Sequence, residues 1–277
     1  MENLKPKQYT YRYPHPAVTT DCVIFTFHED KLKVLLIRRG IEPFRGEWAL
    51  PGGFMRIDES AEECAHRELR EETGVTGCPI RQFHTFSAPG RDPRERVVTI
   101  AFYALVKWQR AQGADDAEYA GWIPMNNLPP LAFDHAEIIK KAMEAIRRDL
   151  FFEPVGFELL EDQFTMPQLQ HVYEEILGKS FDRRNFAKKM KHTGIIESID
   201  EKNIPQESRP RSSRRYSAIN NGYSPMEAVA EPENIFSVID NANKQEAPKK
   251  RRGRFGNLFR LNREKYKEIK ENDSMEW

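Results

Sequence analysis

The chain has 277 residues, and its 43 Lys and Arg are balanced by 43 Asp and Glu, so neither a strongly basic nor a strongly acidic protein is indicated. That length holds one large domain or two modest ones, each with its own core. Three cysteines (Cys22, Cys64 and Cys78) without paired spacing fit a reducing compartment better than a disulfide framework or zinc site, and no segment has the apolar run of a signal peptide or membrane span; a cytoplasmic protein without a membrane partner is expected.

The first predicted elements are strands. Val18 to Phe27 is rich in β-branched and aromatic residues, and Lys31 to Arg39 follows after His28-Glu29-Asp30, so the pair reads as a hairpin. A Gly/Pro-rich connection, GEWALPGG, leads to a helix from about Ser60 to Thr73. Strands are predicted at Ile80 to Phe86 and Val97 to Val106, then a polar loop, a short strand GWIP, and a helix from Asp134 to Leu150 with Ile138, Ile139, Met143 and Ile146 at helical spacing. This pattern predicts an α/β sandwich over residues 1–153, with Pro154 and Gly156 marking its boundary.

A second unit is predicted over residues 154–222. Thr165 and Gln168 have capping-box spacing, with Pro167 in the first turn and an apolar stripe from Leu169 to Leu177 before the stop at Gly178. Asp182 then caps a basic helix, with Phe181 and Phe186 at the two positions of a hydrophobic staple, and Gly194 ends it. Ile195 to Ile199 and Arg214 to Ile219 would close a hairpin. Helix, tight turn, basic helix and hairpin describe a winged helix-turn-helix. In that arrangement Arg183, Arg184, Asn185 and Lys188 would meet double-stranded DNA at the groove, while Lys189, Lys191 and the arginines of the wing meet phosphates. The same basic face also fits a solvated surface that binds nothing specific. Residues 223–277 show little periodicity and read as a low-order basic tail, apart from an isolated helix in LNREKYKEIKEN.

The chemistry concentrates in GFMRIDESAEECAHRELREETGV. On a helix, Glu68 and Glu72 lie one turn apart with Glu71 beside Glu72, so three carboxylates converge on one side, while Ala61, Ala65 and Leu69 give an apolar side to bury. Clustered carboxylates call for a cation, and oxygen-only ligands suit Mg²⁺ or Mn²⁺ rather than zinc. Such an ion bridging two phosphates positions water for attack at phosphorus. Gly52 and Gly53 allow a tight turn and close approach of the backbone to a ligand. Glu59 sits on the preceding loop within reach of the metal cluster, and Arg67 is placed to orient a neighbouring carboxylate. Arg91 and Arg94, in the turn GRDPR, suit phosphate oxygens, although an exposed charged turn has the same composition.

Gly53, Glu59 and the run Arg67 to Val75 resemble the box of the Nudix hydrolases with every defining position filled. The resemblance implies a Nudix α/β/α sandwich that cuts a diphosphate linkage, with Glu68 and Glu72 carrying most of the metal ligation, and Glu71, Glu59 and Arg67 completing the catalytic set. The general base would come from within the box or from a later loop, for which residues 115–118 are available. The GRDPR turn before an RVV strand, and the segment Leu128 to Ile139, are similar to the branch that handles ADP-ribose, where Arg91, Arg94, Gly52 and Gly53 would hold the substrate. That branch includes regulators in which a Nudix domain is fused to a winged helix and in which the ligand is sensed rather than cleaved; these act on DNA as homodimers. Many of them carry a degraded box, which this chain does not.

Overall fold

The computed structural model describes residues 10–113, 117–199 and 258–271. In chain order its elements are β1 (Ala17–His28), β2 (Lys31–Arg39), β3 (Trp48–Ala49), β4 (Gly52–Phe54), α1 (Ala61–Thr73), β5 (Arg81–Phe86), β6 (Val97–Leu105), β7 (Ala117–Pro124), α2 (His135–Phe152), β8 (Phe164–Thr165), α3 (Met166–Leu177), α4 (Arg183–His192), β9 (Ile196–Ile199), β10 (Leu258–Leu261) and α5 (Arg263–Glu271).

β1 to β7 form one mixed sheet with a central path β3-β2-β1-β6-β5; β4 pairs with β1, and β7 with β2. β1 and β2 are joined by a tight turn in which Glu29 and Asp30 take φ of 55° and 56°, a left-handed pair matched to the twist of a two-residue hairpin. β1 runs parallel to β6 from Ala17 opposite Val97 to Phe25 opposite Leu105. Because strand side chains alternate, one strand feeds two cores. Val23 and Phe25 join Val34, Leu36, Tyr103 and Leu105 beneath α2, whereas Cys22 and Ile24 join Leu35, Phe102 and Ala104 beneath α1. Cover on both faces explains why β1 reads as a continuous apolar run rather than an alternating one. The expected α/β/α sandwich is the observed one. β3 and β4 arise within GEWALPGG, which reads as a connection because two- and three-residue strands are too short to display a period.

The expected break after residue 153 is not a break in packing. Pro154 ends the helix, but Val155–Leu159 forms a buried 3-10 turn whose Gly156 lies against the Tyr173 ring. The core under α2 runs on through Leu169, Val172 and Ile176 of α3 to Phe186 and Met190 of α4. Two polar ties cross the same seam: the Leu32 N–H donates to Glu175 Oε2 at 3.2 Å, and Arg147 Nε donates to the Ile176 carbonyl at 2.8 Å.

α3 starts with the Thr165–Gln168 capping box, Asp182 caps α4 by accepting from the Asn185 N–H at 2.9 Å, and the Phe181 and Phe186 rings stand 5.6 Å apart. β8, β10 and β9 make a three-stranded sheet beside them. The hairpin partner expected at Arg214 to Ile219 lies outside the described residues, as do Lys249 to Arg254; the strand paired with β9 here is β10. Residues 258–271 hold the helix expected in LNREKYKEIKEN, as α5, and the strand β10, which was not expected. A four-residue strand anchored by the single buried ring of Phe259 leaves almost no pattern in a basic stretch.

Candidate active site and basic helix

α1 is set by its ends. Ser60 and Glu63 form a complete capping box, and Gly74 closes the helix in the left-handed conformation at φ 68°. Cys64, Ala65 and Leu69 then point into the sheet, so the flank carrying Arg67, Glu68, Glu71 and Glu72 faces a cleft of about 420 Å³.

Arg67 organises that flank. Its guanidinium grips Glu59 through two bonds of 2.9 and 2.6 Å, and reaches Glu68 at 2.6 Å, Glu71 at 3.0 Å and the Phe54 carbonyl at 3.2 Å. The grip holds the Glu59 carboxyl down at about 2. Glu59 is thus a fixed counter-charge for Arg67 and does not line the cleft, which speaks against a role in taking a proton. Glu72 has no such partner: burial pushes its carboxyl up to about 8, against the pull of the Gly52 N–H, which donates to Oε2 at 2.9 Å. Burial also raises Glu68.

Both glycines sit where a side chain would collide, though at Gly53 only with the movable end of Glu68. A Cβ on Gly52 would stand 2.0 Å from the Thr20 carbonyl oxygen, and one on Gly53 would stand 2.4 Å from Glu68 Oε1. The clash at Gly52 is with backbone and cannot relax.

The arginine turn is less open than its composition suggests. Arg91 is buried and paired with Asp134 at 2.7 and 2.9 Å and with Asp21 at 3.3 Å. Arg94 is held by Asp92 at 2.7 and 3.0 Å, with its guanidinium 5.0 Å from the Phe54 ring centre and 5.7 Å from that of Phe133. Both line the cleft.

Asp21, Arg39, Phe133 and His135 also line it, and the sequence reading missed them. His135 Nδ1 accepts from the Leu50 N–H at 2.8 Å while its Nε2 lies 3.5 Å from Asp21 Oδ1; burial lowers its pKa and keeps the ring neutral. A charged Asp21 inside an otherwise apolar strand was the signal that would have found this network, since unpaired carboxylates are almost never buried. Of the loop at 115–118, Asp115 and Asp116 lie outside the described residues and Ala117 begins β7. The three cysteines are free and buried.

On the second unit, Arg183, Arg184, Asn185, Lys188, Lys189 and Lys191 are all exposed on α4, whose Phe186 and Met190 face inward.

Comparison with known proteins gives two family matches. The NUDIX domain model covers residues 15–143 and the NrtR DNA-binding winged helix domain model covers residues 156–217. An ADPR responsive transcriptional repressor, NtrR, of Acinetobacter baylyi is 32% identical over 197 residues, 69% of this chain and 79% of the relative. The chain belongs to the Nudix family, in the group built with an NrtR-type winged helix. An ADP-ribose pyrophosphatase of Methanocaldococcus jannaschii is 44% identical to this Nudix protein over 131 residues, 47% of this chain and 75% of the relative. The crystal structure of Shewanella oneidensis NrtR complexed with a 27mer DNA superposes with a TM-score of 0.62 at 29% identity, covering 90% of this chain and 95% of that one. Within this Nudix protein, β10 lies beyond the matched winged helix segment although it pairs with β9 inside it. No helix among the described residues is long and apolar enough to cross a membrane.

Proposed function

We propose that this Nudix protein hydrolyses the diphosphate of ADP-ribose-like nucleoside diphosphate derivatives, and that the same ligand governs DNA binding by its winged helix. The observation that carries the reading is the cleft itself, lined by Glu68, Glu71 and Glu72 and by the guanidinium groups of Arg39, Arg91 and Arg94. Both the A. baylyi repressor and the M. jannaschii pyrophosphatase bear names tied to ADP-ribose.

The donor set fits a hard divalent cation. Among the described residues no three metal-ligating side chains stand together as a ready cage, because Glu68 and Glu71 turn to Arg67 and Glu72 to Gly52. All three are carboxylates on one cleft, and the burial that raises Glu68 and Glu72 is a cost that a nearby positive charge removes. Glu68, Glu71 and Glu72 would hold Mg²⁺ or Mn²⁺, which when bound neutralises the diphosphate and lowers the pKa of an attacking water. Arg67 keeps Glu68 and Glu71 aimed at the cleft. Gly52 and Gly53 leave room for the diphosphate against the backbone. A carboxylate of the box or of the 115–118 loop would accept the proton of the water. Arg94 orients the substrate, and Arg91 acts from below by fixing Asp134 and Asp21. Cleavage of ADP-ribose would yield AMP and ribose 5-phosphate.

On α4, Arg183, Arg184, Asn185 and Lys188 would enter or flank the major groove of a two-fold site, bound by a homodimer in the cytoplasm. A second reading, a sensor that binds the ligand without cleaving it, is favoured by the repressor's match over 79% of its own length.

The test is AMP release from ADP-ribose with Mg²⁺, beside Glu68→Gln and Glu72→Gln. Turnover lost in both variants supports hydrolysis. Absence of turnover in the wild type, with ADP-ribose raising its melting temperature, replaces hydrolysis with sensing.

A further inference from the structure

The segment before α2 carries more than a helix cap. Phe133 lies between Ala132 and His135, which are 1% and 5% exposed, yet it is itself only partly buried and lines the cleft. Its backbone takes φ of 53°, a left-handed conformation that bulky residues rarely adopt. Phe44, 4.7 Å away edge-to-face, takes φ of 64°. Such conformations persist only where the surroundings over-determine them. Here they do: the Ala132 N–H donates to the Trp48 carbonyl at 2.8 Å, Asp134 is paired with Arg91, and His135 holds Leu50. The ring thus packs in part against the cluster of Ile37, Ala49 and Ala132, with the His135 ring 5.2 Å away, and in part lines the cleft.

Two guanidinium groups attend it. Arg39 Cζ stands 5.0 Å from its ring centre and Arg94 Cζ 5.7 Å, with Phe54 on the other side of Arg94 at 5.0 Å. Aromatic faces and flat guanidinium groups share one class of partner, a planar electron-rich ring, which stacks on both. The carboxylates that would hold a cation against a diphosphate line the same cavity.

We infer that Phe133, braced by Phe44 and flanked by Arg39 and Arg94, is the specificity-determining residue that takes the heteroaromatic base of the nucleoside diphosphate ligand. This deepens the proposed function and rests on it. Phe133 selects for a base, not for the diphosphate, so its effect depends on whether the ligand carries one.

The experiment is calorimetric binding of ADP-ribose and, separately, of ribose 5-phosphate to the full chain and to Phe133→Leu and Phe133→Trp. Leucine keeps the bulk of the side chain and loses the stacking face, so a folded variant is obtained even if alanine fails. The expected result is ADP-ribose affinity weakened about tenfold or more by leucine and retained by tryptophan, with ribose 5-phosphate affinity alike in all three. Equal ADP-ribose affinity in wild type and Phe133→Leu overturns the inference and leaves the proposed function standing. So does a parallel loss of both ligands, which marks a structural role. A wild type that binds no ADP-ribose overturns both.

Discussion

Arg67 is the residue on which the site depends most. Its side chain is 10% exposed, and the three carboxylates it joins would otherwise repel one another across a few ångströms. Arg67→Ala leaves those charges without a partner in a partly desolvated place, and a loss of about 3 kcal/mol in urea unfolding is expected. Glu72 predicts a pH dependence of opposite origin. Its folded carboxyl keeps a proton up to about 8, whereas an ordinary glutamate releases its proton near 4.5. The unfolded chain therefore sheds that proton first, and the metal-free protein loses stability as pH rises between those values. Glu72→Gln removes the penalty: it should melt above wild type at pH 8.5 and show no such gain at pH 4.5, with the gap at pH 8.5 closing when Mg²⁺ is added. A variant no more stable than wild type at pH 8.5 would sink the assignment.

Among the elements, α1 and α4 can each be tested alone. The Ser60–Glu63 box satisfies two N–H groups at the start of α1, and Ser60→Ala should cost about 1 kcal/mol in denaturant unfolding while leaving the carboxylates in place. α4 exposes its basic residues and buries Phe186 and Met190, so its charges can be removed without touching the core. Lys189→Ala should weaken DNA binding across unrelated sequences and reduce the slope of log affinity against log salt by about 1. An unchanged salt slope would mean that Lys189 does not meet a phosphate.

In the whole molecule, the winged helix is not a bead on a string. α2 begins at the cleft, where Asp134 and His135 join the Arg91–Asp21 network, and its later turns pack on α3. One packed core therefore runs from the cleft to α3 and α4. One shared core predicts one cooperative unfolding transition for the described unit rather than two, read by calorimetry. Glu175→Ala, which strips the partner from the Leu32 N–H at this seam, should lower stability by about 1–2 kcal/mol.

By itself the sequence determined the local order: the β1–β2 hairpin, the Thr165–Gln168 capping box, the glycine stops, and the carboxylate row of α1. These are legible because each depends on residues within a turn or two of one another, where propensity and spacing act directly. Gly52 and Gly53 were legible as permissive backbone, though only the fold names the Thr20 carbonyl and Glu68 as what they must clear. Tertiary structure decided the rest. It turned Glu59 from a candidate base into the counter-charge of Arg67, buried Arg91 against Asp134 and Asp21, brought Phe133 and Arg39 to the cleft from distant segments, and paired β10 with β9 across residues 200–257. Those contacts join residues far apart in the chain, and what selects them is burial and charge pairing in the folded core, which no local pattern encodes.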